Sequence, residues 1–376
     1  MTVRLCLSAA ETLRYPHGGH LWVFLNWALG FRSTSCDVTW LDVAPPSTPI
    51  AELRQRLTYL RSLLSPFGIT NIAVDFKSDD ECRSVLHAAG LPPIEQFGPF
   101  DLLFDMRYDL PHRLLEQAKK SALLDIDPCH LHLALKQRKY PQPRHDLFFT
   151  IGEKVAQGTV SGATERTWIY TPPCVSLPEW PVSATPPGAP WTTVAHWWGS
   201  GWMPDPDTGE LFCDDKREGF NAFMDLPARV PVRFELALSL GNDPAEHARI
   251  EGHGFKVLDP DKTVATPMQY RAFIQGSAGE FSAAKPSYVR YQTAWISDRT
   301  ICYLASGKPC VVEDTGPSDV LPSGKGLHRV RDVGAAVAAF RTIGNRYEEE
   351  AREAREIARS IFDATAICRE VLAKAL

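Results

Sequence analysis

The stretch that decides the fold is Ser297-Asp298-Arg299-Thr300-Ile301-Cys302-Tyr303-Leu304-Ala305-Ser306-Gly307-Lys308-Pro309-Cys310-Val311-Val312-Glu313-Asp314-Thr315-Gly316. It reads as a helix over residues 295–305, a turn at Ser306-Gly307-Lys308-Pro309, and a buried strand over residues 309–313. Gly307 is placed to end the helix and Pro309 to prevent its continuation. The strand delivers the polar loop Asp314-Thr315-Gly316, and open α/β sheets bind ligands beside such strand C-termini.

Working outward, the same alternation recurs. Residues 267–275 and 245–251 read as helices, 255–258 and 233–240 as strands, and a helix near 217–224 follows a strand at 192–198 and a long polar loop. The first half repeats it, with strands at 3–8, 37–41, 69–76, 101–106, 122–126 and 147–151 and helices at 21–31, 50–64 and near 112–120. Strands alternating with helices imply parallel sheets, hence an α/β chain with two doubly wound, Rossmann-like domains. The boundary falls in the proline-crowded segment from Tyr170 to Pro190, which favours extended linker conformations. This gives an N-terminal domain over residues 1–185, a second over 186–345, and terminal helices over 346–376, with Glu348, Glu349 and Glu350 expected on a solvated face.

The chain of 376 residues is too long for one comfortable core. Hydrophobic residues make up 44% and charged residues 23%, and the net charge of -5 disfavours a dedicated nucleic-acid binder, so small molecules are the expected ligands. The nine cysteines, Cys82 among them, are never spaced as Cys-x-x-Cys and read as reduced thiols in a cytoplasmic protein. No 18-residue apolar run exists, and residues 1–7 are too short for a signal peptide, so no membrane span is expected.

Two segments together resemble a known family. The first is Gly18-Gly19-His20-Leu21-Trp22-Val23, continuing through Leu25-Asn26-Trp27-Ala28-Leu29 to Cys36-Asp37-Val38-Thr39-Trp40-Leu41: a glycine pair after the first strand, a helix, then a second strand. The second is the block quoted above. Their order resembles GT-B glycosyltransferases, closest to a group of bacterial glycosyltransferase-like proteins. The resemblance implies two domains facing across a cleft, terminal helices crossing back to the first domain, and transfer of a sugar from a nucleotide-diphosphate donor to an acceptor, with no cofactor or metal. It also implies an acceptor site on the first domain and a donor site on the second. Many relatives carry a ribose-holding glutamate where this chain has Cys302; Asp298, one turn earlier, is a substitute or simply a helix-start carboxylate. Donor, acceptor, stereochemical outcome and a homodimer stay open, as do a sugar-nucleotide epimerase or hydrolase and a non-catalytic binder on the same fold.

Within that frame, His20 sits where inverting enzymes of the fold carry a general base, and Asp125 or Asp127 is placed to orient it. Gly18 and Gly19 permit close backbone approach to a donor. Lys216 and Arg217 begin a helix where two cations suit a diphosphate, with Lys285 and Arg299 as further phosphate ligands. Asp314, Thr315 and Gly316 complete the donor set. His130-x-His132 lacks a third ligand at a supporting spacing and carries no zinc expectation. His145-Asp146 and Gly152-Glu153 are placed to line the acceptor side. Trp197, Trp198 and Trp202 read first as local core or interdomain contacts and second as a stacking surface.

Overall fold

A computed structural model describes residues 2–78, 83–140, 142–160, 163, 164, 166–199 and 201–376; Cys82, and Ser200 within the tryptophan cluster, lie outside the described residues. The first sheet comprises β1 (Arg4–Ser8), β2 (Asp37–Ala44), β3 (Ile72–Phe76), β4 (Phe100–Asp105), β5 (Ala118–Asp125), β6 (Leu147–Thr150) and β7 (Ile169–Tyr170). Its strands are all parallel, in the order β3-β2-β1-β4-β5-β6-β7. Leu5 and Leu7 of β1 face Val38 and Trp40 on one side and Leu102 and Phe104 on the other. Both faces are covered, which is why these strands read as apolar runs rather than as alternations.

The second half holds β8 (Trp191–His196), β9 (Trp202–Pro204), β10 (Leu211–Cys213), β11 (Phe234–Ser239), β12 (Phe255–Leu258), β13 (Gly279–Ser282), β14 (Cys310–Glu313) and β15 (Leu327–Val330). Six of these form a parallel sheet ordered β12-β11-β8-β13-β14-β15, while β9 and β10 pair as a separate antiparallel hairpin. Numbered within each sheet, both orders run 3-2-1-4-5-6, with β7 added beyond the sixth strand of the first sheet, the doubly wound order that reverses beside the first strand. The two reversal points, β1/β4 and β8/β13, mark where ligands bind in this architecture.

Several local expectations are corrected. Four buried residues make β13, too short to show a period; the hairpin lies in the segment read as a long polar loop, and β15 in a segment assigned no element. The helix near residues 112–120 is only His112–Leu115, because the chain turns into β5 at Ala118. Glu350 is not on a solvated face: it is fully buried, accepts from the Gly326 N–H at 2.7 Å, and lies 2.8 Å from His328 Nε2. That pairing fastens the helix Tyr347–Ile361 to β15.

The terminal helices do cross back. Val175, on the segment after β7, donates its N–H to Phe362 O at 2.8 Å and accepts from the Ala364 N–H at 3.1 Å. The helix Ala364–Ala375 then packs on the helix Gly18–Ser33, where a Cβ on Gly30 would lie 2.6 Å from Cys368 Sγ. Lys308 binds the linker, donating to Ser183 O at 3.1 Å and Thr185 Oγ1 at 2.8 Å. Deleting residues 361–376 uncovers the sites of Phe362, Ile367, Cys368 and Val371, all buried. At about 1.5 kcal/mol or more for each large side chain, the loss is roughly 5 kcal/mol. Thermal unfolding of the first domain is expected to fall by roughly 10–20 °C; an unchanged melting temperature would show that these helices do not support it.

Candidate active site

The C-terminal ends of β1, β4, β5 and β6 face those of β8, β13 and β14, and the loops leaving them carry the polar residues of the cleft. On the second domain, Lys216 starts the helix Lys216–Asn221 and its side chain is nearly buried. Among the described residues no hydrogen bond or ion pair engages its ammonium. Burial, then the nearby Arg299 and Lys285, push its pKa well below the ordinary lysine value against the pull of Glu280 and Glu313. Its neighbour Arg217 points elsewhere, bonded to Glu246 at 3.0 Å and Glu218 at 3.1 Å, so only one of the expected cation pair joins the cleft.

The other cations are committed. Arg299 donates to Glu280 Oε1 at 2.6 Å and to Val194 O at 2.7 Å, tying β13 to β8 from beneath. Lys285 lies 3.9 Å from Asp127 Oδ2, and the Tyr288 hydroxyl also donates to Asp127. Burial opposes ionisation of Asp127, yet Lys285, His130 and Tyr288 together hold its pKa below the usual carboxylate value. Lys216 is thus the cleft cation that, among the described residues, has no partner at hydrogen-bond or ion-pair distance, with Glu280 and Glu313 acting on it only from further away.

On the first domain, His20 Nε2 lies 2.7 Å from Ala10 O. A carbonyl only accepts, so Nε2 carries the proton and the Nδ1 lone pair is left free. Burial lowers its pKa from the ordinary 6.5, with His17 and His196 adding to the effect, and the ring is neutral at physiological pH. Among the described residues, no aspartate orients it. Asp125 is bound elsewhere, accepting from Thr150 Oγ1 at 2.8 Å and lying 3.3 Å from His132 Nε2, while Asp127 reaches across to the second domain. The expected histidine–aspartate pairing is replaced by a backbone contact, because β5 places both carboxylates one strand beyond the loop that holds His20.

Gly18 and Gly19 also serve a different neighbour. They form the first helical turn, and a Cβ on Gly18 would lie 2.4 Å from Thr266 O, one on Gly19 2.8 Å from the Tyr270 ring. The close approach that lack of a Cβ allows is to the second domain's own chain, reinforced by Trp22 Nε1 donating to Pro267 O at 2.8 Å. Asp314 is likewise taken, by Arg329 at 2.6 Å and Arg331 at 2.9 Å. Thr315 Oγ1 donates to Trp295 O at 2.6 Å, and Gly316, at φ 117°, packs on Gln292 where a Cβ has no room. These three shape the loop facing the cleft. Asp298 is half-buried; burial chiefly, with Asp127 adding, raises its pKa to about 7. Cys302 lies beneath it, its thiol donating to Asp298 O at 3.2 Å, and faces the first helix rather than open space.

The remaining expected acceptor-side groups divide. His145 pairs inside the domain with Asp105 at 3.1 Å, and Asp146 with Ser121. Glu153 instead crosses to the second domain, accepting from the Asp319 N–H at 2.9 Å and from Ser318. His130 lies 3.1 Å from Asp214 Oδ2 and 3.0 Å from Ser287 Oγ, another bridge between domains. Trp197 is core, donating to Glu246 at 2.8 Å, whereas Trp202 on the hairpin is 69% exposed. Sequence reading overlooked Glu313, Tyr288 and His196. Only Glu313 had a visible signal, a carboxylate ending the apolar Cys310-Val311-Val312 run.

Two doubly wound sheets with facing reversal points and terminal helices returning to the first domain define the GT-B fold. Solved structures agree over essentially the whole chain. Anabaena HepE in complex with UDP and glucose matches with a TM-score of 0.58 at 12% identity, covering 100% of this chain and 99% of that one. An alpha-glucosyltransferase in complex with UDP and a DNA containing a HMU base matches at 0.64 and 12%, covering 99% of each. Sucrose-phosphate synthase from Thermosynechococcus elongatus matches at 0.58 and 13%, covering 99% and 98%. No protein-family profile and no curated protein sequence matches the chain. Among the described residues, no helix is long and apolar enough to cross a membrane.

Proposed function

We propose that this protein is a nucleotide-sugar-dependent glycosyltransferase, binding the donor diphosphate on Lys216 and the acceptor beside His20. The observation that carries the reading is the nearly buried Lys216 ammonium, which among the described residues has no hydrogen-bond or ion-pair partner, beside the reversal point of the second sheet. A buried cation without a partner is costly, and an anionic ligand supplies the missing charge. The solved structures of this fold that hold UDP or UDP-glucose support the choice of anion. No acceptor is specified by these groups.

In the displacement, the acceptor oxygen bonds to the anomeric carbon as the bond to the diphosphate breaks. The acceptor hydroxyl's proton passes to His20 Nδ1, and Lys216 meets the negative charge gathering on the leaving diphosphate. Because burial lowers the His20 pKa, the ring stays a base into mildly acidic solution. The acid limb of the pH–rate profile is therefore expected below pH 6.5. His20→Ala should reduce turnover by roughly a hundredfold or more with little change in donor affinity. Measuring nucleotide diphosphate release from a donor panel, with a mixed library of glycan and small hydroxyl acceptors, tests both statements. Unaltered turnover in His20→Ala removes this residue from the mechanism. A second reading, a non-catalytic donor binder, is favoured by the buried Cys302 in place of a ribose-holding carboxylate; it predicts donor binding without release of diphosphate from any pairing.

A further inference from the structure

The turn Asp127-Pro128-Cys129-His130, which leaves β5 on the first domain, grips the second domain at both of its ends. Cys129 is held at φ 80°, a left-handed conformation that a cysteine rarely adopts, so the turn is kept against local strain. His130, at its far end, is mostly buried and begins the helix His130–Lys136. The imidazole Nε2 lies 3.1 Å from Asp214 Oδ2 and 3.0 Å from Ser287 Oγ. A carboxylate only accepts, so Nε2 carries the proton and offers it to these two oxygens.

Asp214 is fully buried, on the segment that leads into the helix Lys216–Asn221. Its Oδ1 accepts from the Ser287 N–H at 2.8 Å, and among the described residues its Oδ2 has no ion-pair partner other than His130. The next residue, Asp215, is the N-cap, yet its side chain makes no bond to the helix and accepts from the Gly199 N–H instead. A helix of six residues has little stability of its own, so contacts outside it decide where its first turn points. The buried anchor beside that turn is Asp214.

We propose that His130 is a positioning residue of the donor site: from the first domain it fixes Asp214, and with it the helix start that presents Lys216 to the diphosphate. The inference rests on the glycosyltransferase reading and deepens it. Asp127, at the other end of the turn, holds Lys285 and Tyr288, so Lys216 and Lys285 are both placed by one turn of the opposite domain. Affinity for the diphosphate therefore depends on a histidine that does not touch it.

The test uses the full chain with its lysines isotope-labelled at Cε, so that NMR reads the titration of Lys216, its signal assigned by its absence in Lys216→Met. His130→Ala releases Asp214 and lets the helix start reach water, so the Lys216 titration should move from its depressed position toward 10.5. Calorimetric affinity for whichever of UDP, GDP, ADP and dTDP binds should fall roughly tenfold. His130→Gln keeps N–H groups within reach of the same two oxygens, and should hold the titration depressed and the affinity within about threefold. Should His130→Ala strand the buried carboxylate and fail to fold, combining it with Asp214→Asn removes that charge and should show both changes. A Lys216 titration unmoved in the alanine variants, or undiminished affinity, overturns the assignment while the glycosyltransferase reading stands. No binding of any diphosphate by the unaltered protein overturns that reading instead, and the lysine titration still decides whether His130 places Lys216.

Discussion

Lys216→Met is expected to weaken binding of the donor diphosphate by at least about a hundredfold without lowering the melting temperature. The two halves of this result have one origin. A lysine that is nearly buried, crowded by Arg299 and Lys285, and unpaired among the described residues costs the free protein stability. Methionine fills a similar volume without the charge, so stability should hold or rise. The bound complex loses a desolvated charge-to-phosphate contact, for which losses of about 2–5 kcal/mol are usual. Protons report the same event. The free-state pKa lies well below 10.5, so folding stability from this group rises with pH through the window between the depressed and ordinary values. An anion that restores the charged form makes binding take up protons in that window. Titrations in buffers of different ionisation enthalpy measure the uptake, which Lys216→Met should abolish.

Arg299→Ala should behave in the opposite way, destabilising the protein by roughly 3–5 kcal/mol. Its guanidinium is the partner of Glu280, which is fully buried, and it also satisfies Val194 O. Removing it strands a carboxylate between β13 and β8. Pairing the change with Glu280→Leu should recover much of the loss, since replacing both members of a buried pair leaves no stranded charge. Denaturant unfolding with an unchanged slope is the measurement. Normal stability with lost diphosphate binding would place Arg299 at the ligand instead.

The fold was legible because its signals are local and repeated. Gly307 and Pro309 stop a helix and release Cys310-Val311-Val312 as a strand, and the same punctuation recurs along both halves. What escaped was short or satisfied at long range. β13 is four buried residues with no period to read, and Glu350 looks solvated until β15 is folded against it. The site was legible as residue types near strand ends, but not as pairings. His20, Lys216 and Lys285 do reach the cleft; Arg217, Arg299 and Asp314 are drawn off by Glu246, Glu280 and the Arg329–Arg331 pair, partners 15 or more positions away in every case. The glycine pair shows the same limit. Its sequence says that something approaches closely, and only the structure says that Thr266 and Tyr270 do.

The most direct test of the account is a thermal-shift screen of the unaltered protein and Lys216→Met against UDP, GDP, ADP, CMP and dTDP and their common sugar conjugates. A ligand that binds only the folded state at about a thousand times its dissociation constant adds roughly 4 kcal/mol. The account predicts a rise of several degrees for one nucleotide diphosphate and its sugar conjugates with the unaltered protein, and little or none with Lys216→Met. No rise with any nucleotide, or the same rise in both proteins, would contradict it.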